Sequence, residues 1–191
     1  MSETTAPLSP SRGWSISKED VTWGGRLLAF YALVVLIQGI HVVEHIIQLV
    51  QVYLLGVPDE LALGLLGVVF AIQGTEEWLH LAFNSAYLGG LVVIAVGLLR
   101  WRVARAAIPG ALMIAFLFFG VWLEGWHVVE HLVIISNVVA NNGCPCPGIL
   151  DAQIGLSDTV LHFGYNSIAY AATALPFAYV IRLRRRMRWA G

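Results

Sequence analysis

The chain is expected to be all-α: a polytopic membrane four-helix bundle built from two parallel two-helix repeats, with a short outer interfacial or re-entrant helix. Three observations predict this. Of its 191 residues, 58% are hydrophobic and only 12% charged, with a mean hydropathy of +0.75, whereas soluble domains carry about 25% charged residues. All eleven Lys and Arg fall in three places: the N-terminal region (Arg12, Lys18, Arg26), a middle loop (Arg100, Arg102, Arg105) and the C-terminal end (Arg182, Arg184, Arg185, Arg186, Arg188). The string His41-Val42-Val43-Glu44-His45 recurs intact as His127-Val128-Val129-Glu130-His131.

The charge segregation sets the expected topology. By the positive-inside rule the three basic places are cytoplasmic. Both termini are then inside, in a plasma or inner membrane, and the number of spans is even. The first residues have no apolar core of their own, so the first span is expected to act as the insertion signal.

Residues 1–23, rich in Ser, Thr and Pro at their start, read as a disordered cytoplasmic tail. The first span covers about 26–55, and Gly56-Val57-Pro58-Asp59 stops it. Residues 61–73 are apolar but too few to span, so a short helix on the outer surface is expected. Gly74-Thr75-Glu76-Glu77 reads as a helix start, with acids where the helix dipole favours them. The second span covers about 75–99 and the third about 107–140, with Pro109 in a first turn, where proline is tolerated. Asn141 to Gly155 is turn-rich and reads as a loop. The fourth span covers about 157–181, and residues 182–191 form an Arg-rich cytoplasmic tail, placed against anionic headgroups.

The second and fourth spans also match. Leu79-His80-Leu81-Ala82-Phe83-Asn84-Ser85 aligns with Leu161-His162-Phe163-Gly164-Tyr165-Asn166-Ser167, and an acid, Glu76 or Asp158, stands four residues before each His. The repeats are then 24–100 and 104–186. Two spans per copy give both the same orientation, so they are related by an axis along the membrane normal. All six histidines occupy corresponding positions, three per copy, and all converge on the outer half of the bilayer.

On a helix, i, i+3 and i+4 share a face. His41, Glu44 and His45 project together, as do His127, Glu130 and His131, with Gln38 and Glu124 on the same stripes. Two imidazoles one turn apart with a carboxylate between them are a metal-ligand spacing. The expected ligands are His41, Glu44, His45 and His80 from one repeat and His127, Glu130, His131 and His162 from the other. They would make one dinuclear centre or two mononuclear sites, with Glu44 and Glu130 also available as bases. Glu76, Asp158, Asn84, Asn166, Gln38 and Glu124 are outer candidates. Imidazole suits zinc, iron and copper alike.

Two other readings exist. Polar groups in spans also hold helices together, but Asn or Ser would do that work without six titratable rings. A b-type haem between His41 and His80 leaves His45 and His131 unexplained and its propionates without cationic partners. The string His-x-x-Glu-His resembles the inverted zincin signature, in which the Glu is a base beside two zinc-binding histidines; the remainder of that signature has no counterpart here. Cys144 and Cys146 are too close for an unstrained disulfide and read as part of a plain loop.

Three functions follow as expectations. The first is a metal-dependent oxidase, hydroxylase or hydrolase acting on a lipid or small apolar substrate. The second is a metal transporter. The third is a non-catalytic metal- or haem-binding subunit of a larger membrane complex. The partners expected are the bilayer and such a substrate or complex, and no nucleic acid.

Overall fold

The computed structural model describes the backbone of residues 18–70, 76–141 and 148–189. The expected helix start at Gly74-Thr75 and the Cys144/Cys146 pair lie outside the described residues. Most of the described residues are helical, with no strand among them. In chain order the helices are α1 (Lys18–Tyr53), a single 3-10 turn (Asp59–Leu61), α2 (Gly64–Phe70), α3 (Glu76–Arg100), α4 (Arg102–Ala107), α5 (Gly110–Ala115), α6 (Leu123–Ala140), α7 (Ile149–Ile154) and α8 (Asp158–Trp189). Between α5 and α6, Phe116–Trp122 is wound as a π-helix. Gly110–Ala140 is therefore one continuous rod with a widened middle.

Three helices are long and apolar enough to cross a membrane: Thr22–Tyr53, Glu77–Arg100 and Gly110–Ala140. This is the signature of an integral membrane protein. Their amphipathicity is inverted relative to a soluble bundle. On α1, Leu33, Leu36, Ile40 and Val43 are exposed, while Gln38, His41, Glu44 and His45 are buried. Apolar side chains cost nothing against lipid, whereas polar ones must turn inward to find partners.

Several boundaries differ from expectation. The first helix begins at Lys18, inside the stretch read as tail. Helix α8 continues through the arginines to Trp189, because Arg is a good helix former and nothing stops the helix at Ile181. The second outer connection, expected to be a plain loop, contains the short helix α7.

The long helices pair across the sequence halves. Helix α1 packs most extensively on α8, and α3 on α6. The apolar core occupies one end of the assembly, where Leu28 and Tyr31 of α1, Leu91, Ile94 and Leu98 of α3, Phe116 and Val180 of α8 interlock. Tyr31 donates to the Thr173 carbonyl at 2.7 Å. That bond lies beside Pro176, which breaks the internal ladder of α8 by lacking an N–H. The other end of the assembly holds the histidines.

Candidate metal centre

Each of the four long helices contributes imidazoles at one level. Helix α1 brings His41 and His45, α3 His80, α6 His127 and His131, and α8 His162. The rings form one continuous cluster. Within the first half the centroids stand 4.6 Å (His41–His45), 5.8 Å (His41–His80) and 5.5 Å (His45–His80) apart. Within the second they stand 4.8 Å (His127–His131), 5.2 Å (His127–His162) and 4.7 Å (His131–His162) apart. His80–His131 at 5.5 Å, His80–His162 at 5.8 Å and His45–His162 at 6.0 Å join the two sets. All but the partly buried His80 are buried.

The hydrogen bonds around the cluster fix which nitrogen carries the proton. His45 Nδ1 stands 2.7 Å from Gln48 Oε1, which only accepts. His131 Nδ1 stands 2.9 Å from the Glu77 carboxylate. His162 Nδ1 stands 2.9 Å from the Asp158 carbonyl and 3.1 Å from its carboxylate. In all three the Nδ1–H donates outward, so a neutral ring turns a bare Nε2 inward. Histidines that bind metals are held in this way, with the second ring nitrogen bonded to a carboxylate or carbonyl.

In the second half the nitrogens converge. His127, His131 and His162 each offer a ligand atom within 4.8 Å of the others, and the Nε2 atoms of His127 and His131 are 3.1 Å apart. Two nitrogens bound at about 2.0–2.1 Å to one tetrahedral ion stand about 3.3 Å apart. Deeper on the same face, Glu124 is wholly buried, and neither carboxylate oxygen has a hydrogen-bond partner among the described residues. It lies 3.7 Å from His127 Nδ1. That is too far for a hydrogen bond, and His127 Nδ1 has no hydrogen-bond partner among the described residues. At 3.1 Å the facing Nε2 atoms of His127 and His131 can share either a proton, as an N–H···N bond, or a cation. The His162 Nε2, buried and without a hydrogen-bond partner among the described residues, completes the set.

The first half is arranged differently. His41 and His45 face each other through Nε2 at 3.2 Å, but Asn166 Nδ2 donates to the same His45 nitrogen at 3.0 Å. Asn166 in turn accepts from Gln38 Nε2 at 2.7 Å. His80 groups instead with Glu77 and His131, their ligand atoms lying within 4.8 Å of one another. Asn84 is fully buried, and its amide has no hydrogen-bond partner among the described residues.

The two motif glutamates turn away from the imidazoles. Glu44 Oε1 accepts the Leu66 N–H of α2 at 2.7 Å. Glu130 accepts from both Ile149 and Leu150, the first turn of α7. The glycine at each helix entrance leaves room for the carboxylate. A Cβ on Gly64 would strike Glu44, and one on Gly148 would strike Glu130. Gly64 also has φ +67°, a left-handed conformation that favours glycine. Each motif thus points histidines at the centre and a glutamate at the short helix above it. The side chain of Glu76 lies outside the described residues. On α3 it is the next residue, Glu77, read in the sequence only as a helix-start acid, whose carboxylate reaches an imidazole, that of His131 on α6. Its signal was the Glu-Glu pair itself, which leaves two registers open.

Comparison of the chain with protein-family models, with curated proteins and with solved structures finds no match. The chemistry of the site therefore rests on its own geometry.

Proposed function

We propose that this chain is an integral membrane metalloprotein that binds a transition-metal ion, zinc, iron or copper, at His127, His131 and His162. It would use the ion on a lipid or small apolar substrate reaching it from the bilayer. In this reading all four long helices span, the two halves are parallel repeats, both termini are cytoplasmic, and the cluster sits in the outer half of the membrane. The observation that carries the reading is the pair of facing Nε2 atoms of His127 and His131, 3.1 Å apart, in rings whose Nδ1 atoms both look toward carboxylates.

The donor set narrows the chemistry. With Glu44 and Glu130 bonded to backbone amides, the inner ligands are imidazoles, and three of them leave a zinc or copper ion an open position. Bound zinc would supply an activated water for hydrolysis, and bound iron or copper would supply oxidation. Glu124, buried without a hydrogen-bond partner among the described residues, is the carboxylate placed to hold a proton at the centre. Asp158 and Glu77 hold the ligand rings in orientation. A haem between His41 and His80 is disfavoured: His45 stands within 5.5 Å of both rings, and the macrocycle would have to displace it.

The test is metal content and an optical spectrum of the protein purified in nanodiscs, followed by Co(II) titration of the metal-free form. The expected result is bound transition metal and cobalt bands of tetrahedral intensity, both reduced in His127→Ala and His162→Ala. A Soret band, or no bound metal together with no cobalt bands, would overturn the reading.

A further inference from the structure

We infer that Glu77, His80 and His131 form a second metal position, and that the His131 imidazole bridges it to the first. The inference rests on the reading above and deepens it from one ion to two.

His131 belongs to both ligand groups, and it meets them through different atoms. Its Nε2 faces His127 at 3.1 Å. Its Nδ1 faces the Glu77 carboxylate at 2.9 Å. A single ring can bind one ion through each nitrogen. On the outer side, His80 presents an Nδ1 that is buried and has no hydrogen-bond partner among the described residues, and its ring centroid is 5.5 Å from that of His131. Glu77 adds a charged oxygen, so the second position offers two nitrogens and a carboxylate.

The two positions differ in access. His127 and His131 are fully buried, whereas the Glu77 side chain is 25% exposed. The second position is thus the one an ion meets first from outside. When the second ion binds, the Nδ1–H bond of His131 breaks, an Nδ1–metal bond forms, and the proton leaves to solvent past Glu77. No electron changes hands. Two ions across one imidazolate stand about 6 Å apart, allowing about 2 Å for each metal–nitrogen bond.

The simpler alternative uses the same contact. Glu77 would only hold His131 in orientation, and losing it would weaken a single site about 10–100-fold. Titrating the metal-free full-length protein in nanodiscs with Cu(II) separates the two. The bridged centre predicts two equivalents bound. The paramagnetic resonance signal should grow over the first and collapse over the second as the spins couple through the ring, with one extra proton released in weak buffer. Glu77→Gln and, independently, His80→Ala should each bind one equivalent whose signal persists, while His162→Ala should keep only the outer ion. A wild-type stoichiometry of one, with Glu77→Gln merely weakening it, overturns the bridge and leaves the first site standing. Two equivalents with an undiminished signal and no extra proton also overturn it. No binding by the wild type overturns both readings.

Discussion

Glu130 accepts the backbone N–H of Leu150 at 2.9 Å, so a residue from the third long helix anchors the short helix that follows it. Glu44 does the same for α2 through Leu66. Hydrogen bonds to charged groups contribute about 1.5–3 kcal/mol each. Glu130→Ala, which loses two such bonds, should therefore lower stability by about 3–6 kcal/mol, and Glu130→Gln, which keeps one acceptor oxygen, by less. Thermal unfolding in detergent measures the first effect, and a metal count on Glu130→Gln measures the second. The count is expected to be unchanged; loss of an equivalent from a normally stable Glu130→Gln would return this carboxylate to the ligand set.

Asn166 ties α8 to two turns of α1. It accepts from Gln38, donates to His45 and donates to the His162 carbonyl at 2.9 Å. Asn166→Ala leaves the buried Gln38 amide without its acceptor, a cost of about 1–3 kcal/mol. In a double-mutant cycle, Gln38→Leu and Asn166→Leu should couple by about 0.5–3 kcal/mol. Additive effects would mean that the pair contributes nothing specific.

The proposed topology puts the basic connections inside and the short helices outside. In a chain with Cys144 and Cys146 replaced by Ser, a thiol at Asp59 should react with an impermeant reagent in intact cells, and one at Ser9 should not. The reverse pattern would turn the centre toward the cytoplasm.

Gly39 lets α1 approach α8 closely. A Cβ at Gly39 would meet the Tyr170 hydroxyl at 3.3 Å. Overpacking there with Gly39→Leu should cost about 1–3 kcal/mol, and Tyr170→Ala in the same chain should recover part of it. Melting temperatures of the two single variants and the double variant decide the matter: no recovery in the double would mean that the strain falls elsewhere.

What could be read from the chain is what helical periodicity controls. The i, i+4 spacing aligns His41 with His45 and His127 with His131, and the count of residues from the basic ends puts His80 and His162 at their depth. What could not be read depends on how the helices rotate and pair. Analogy with Asp158 and His162 pointed to Glu76, whose side chain lies outside the described residues; the packing of α3 against α6 brings Glu77 to His131. The partners of Glu44 and Glu130 lie 22 and 19 residues away in sequence, beyond any local pattern. The π-helical stretch at Phe116–Trp122 contains Gly120, but one glycine in an apolar run does not announce a widened turn. A polar stripe shows that a helix needs a partner without saying which, so the pairing of α1 with α8 was not legible.

That pairing has a consequence for how the protein is made. Helix α1 is synthesised first and α8 last, yet Gln38 and His45 find their main-chain-distant partner, Asn166, only on α8. Between the two events the Gln38 amide of the nascent first span lacks this acceptor, in or beside a lipid phase that penalises unpaired polar groups. Biogenesis must therefore shelter α1, at the insertion machinery or against a chaperone, until the last helix arrives. A ribosome-stalled chain ending before Asp158 should remain in contact with that machinery, whereas one extended past Trp189 should be released.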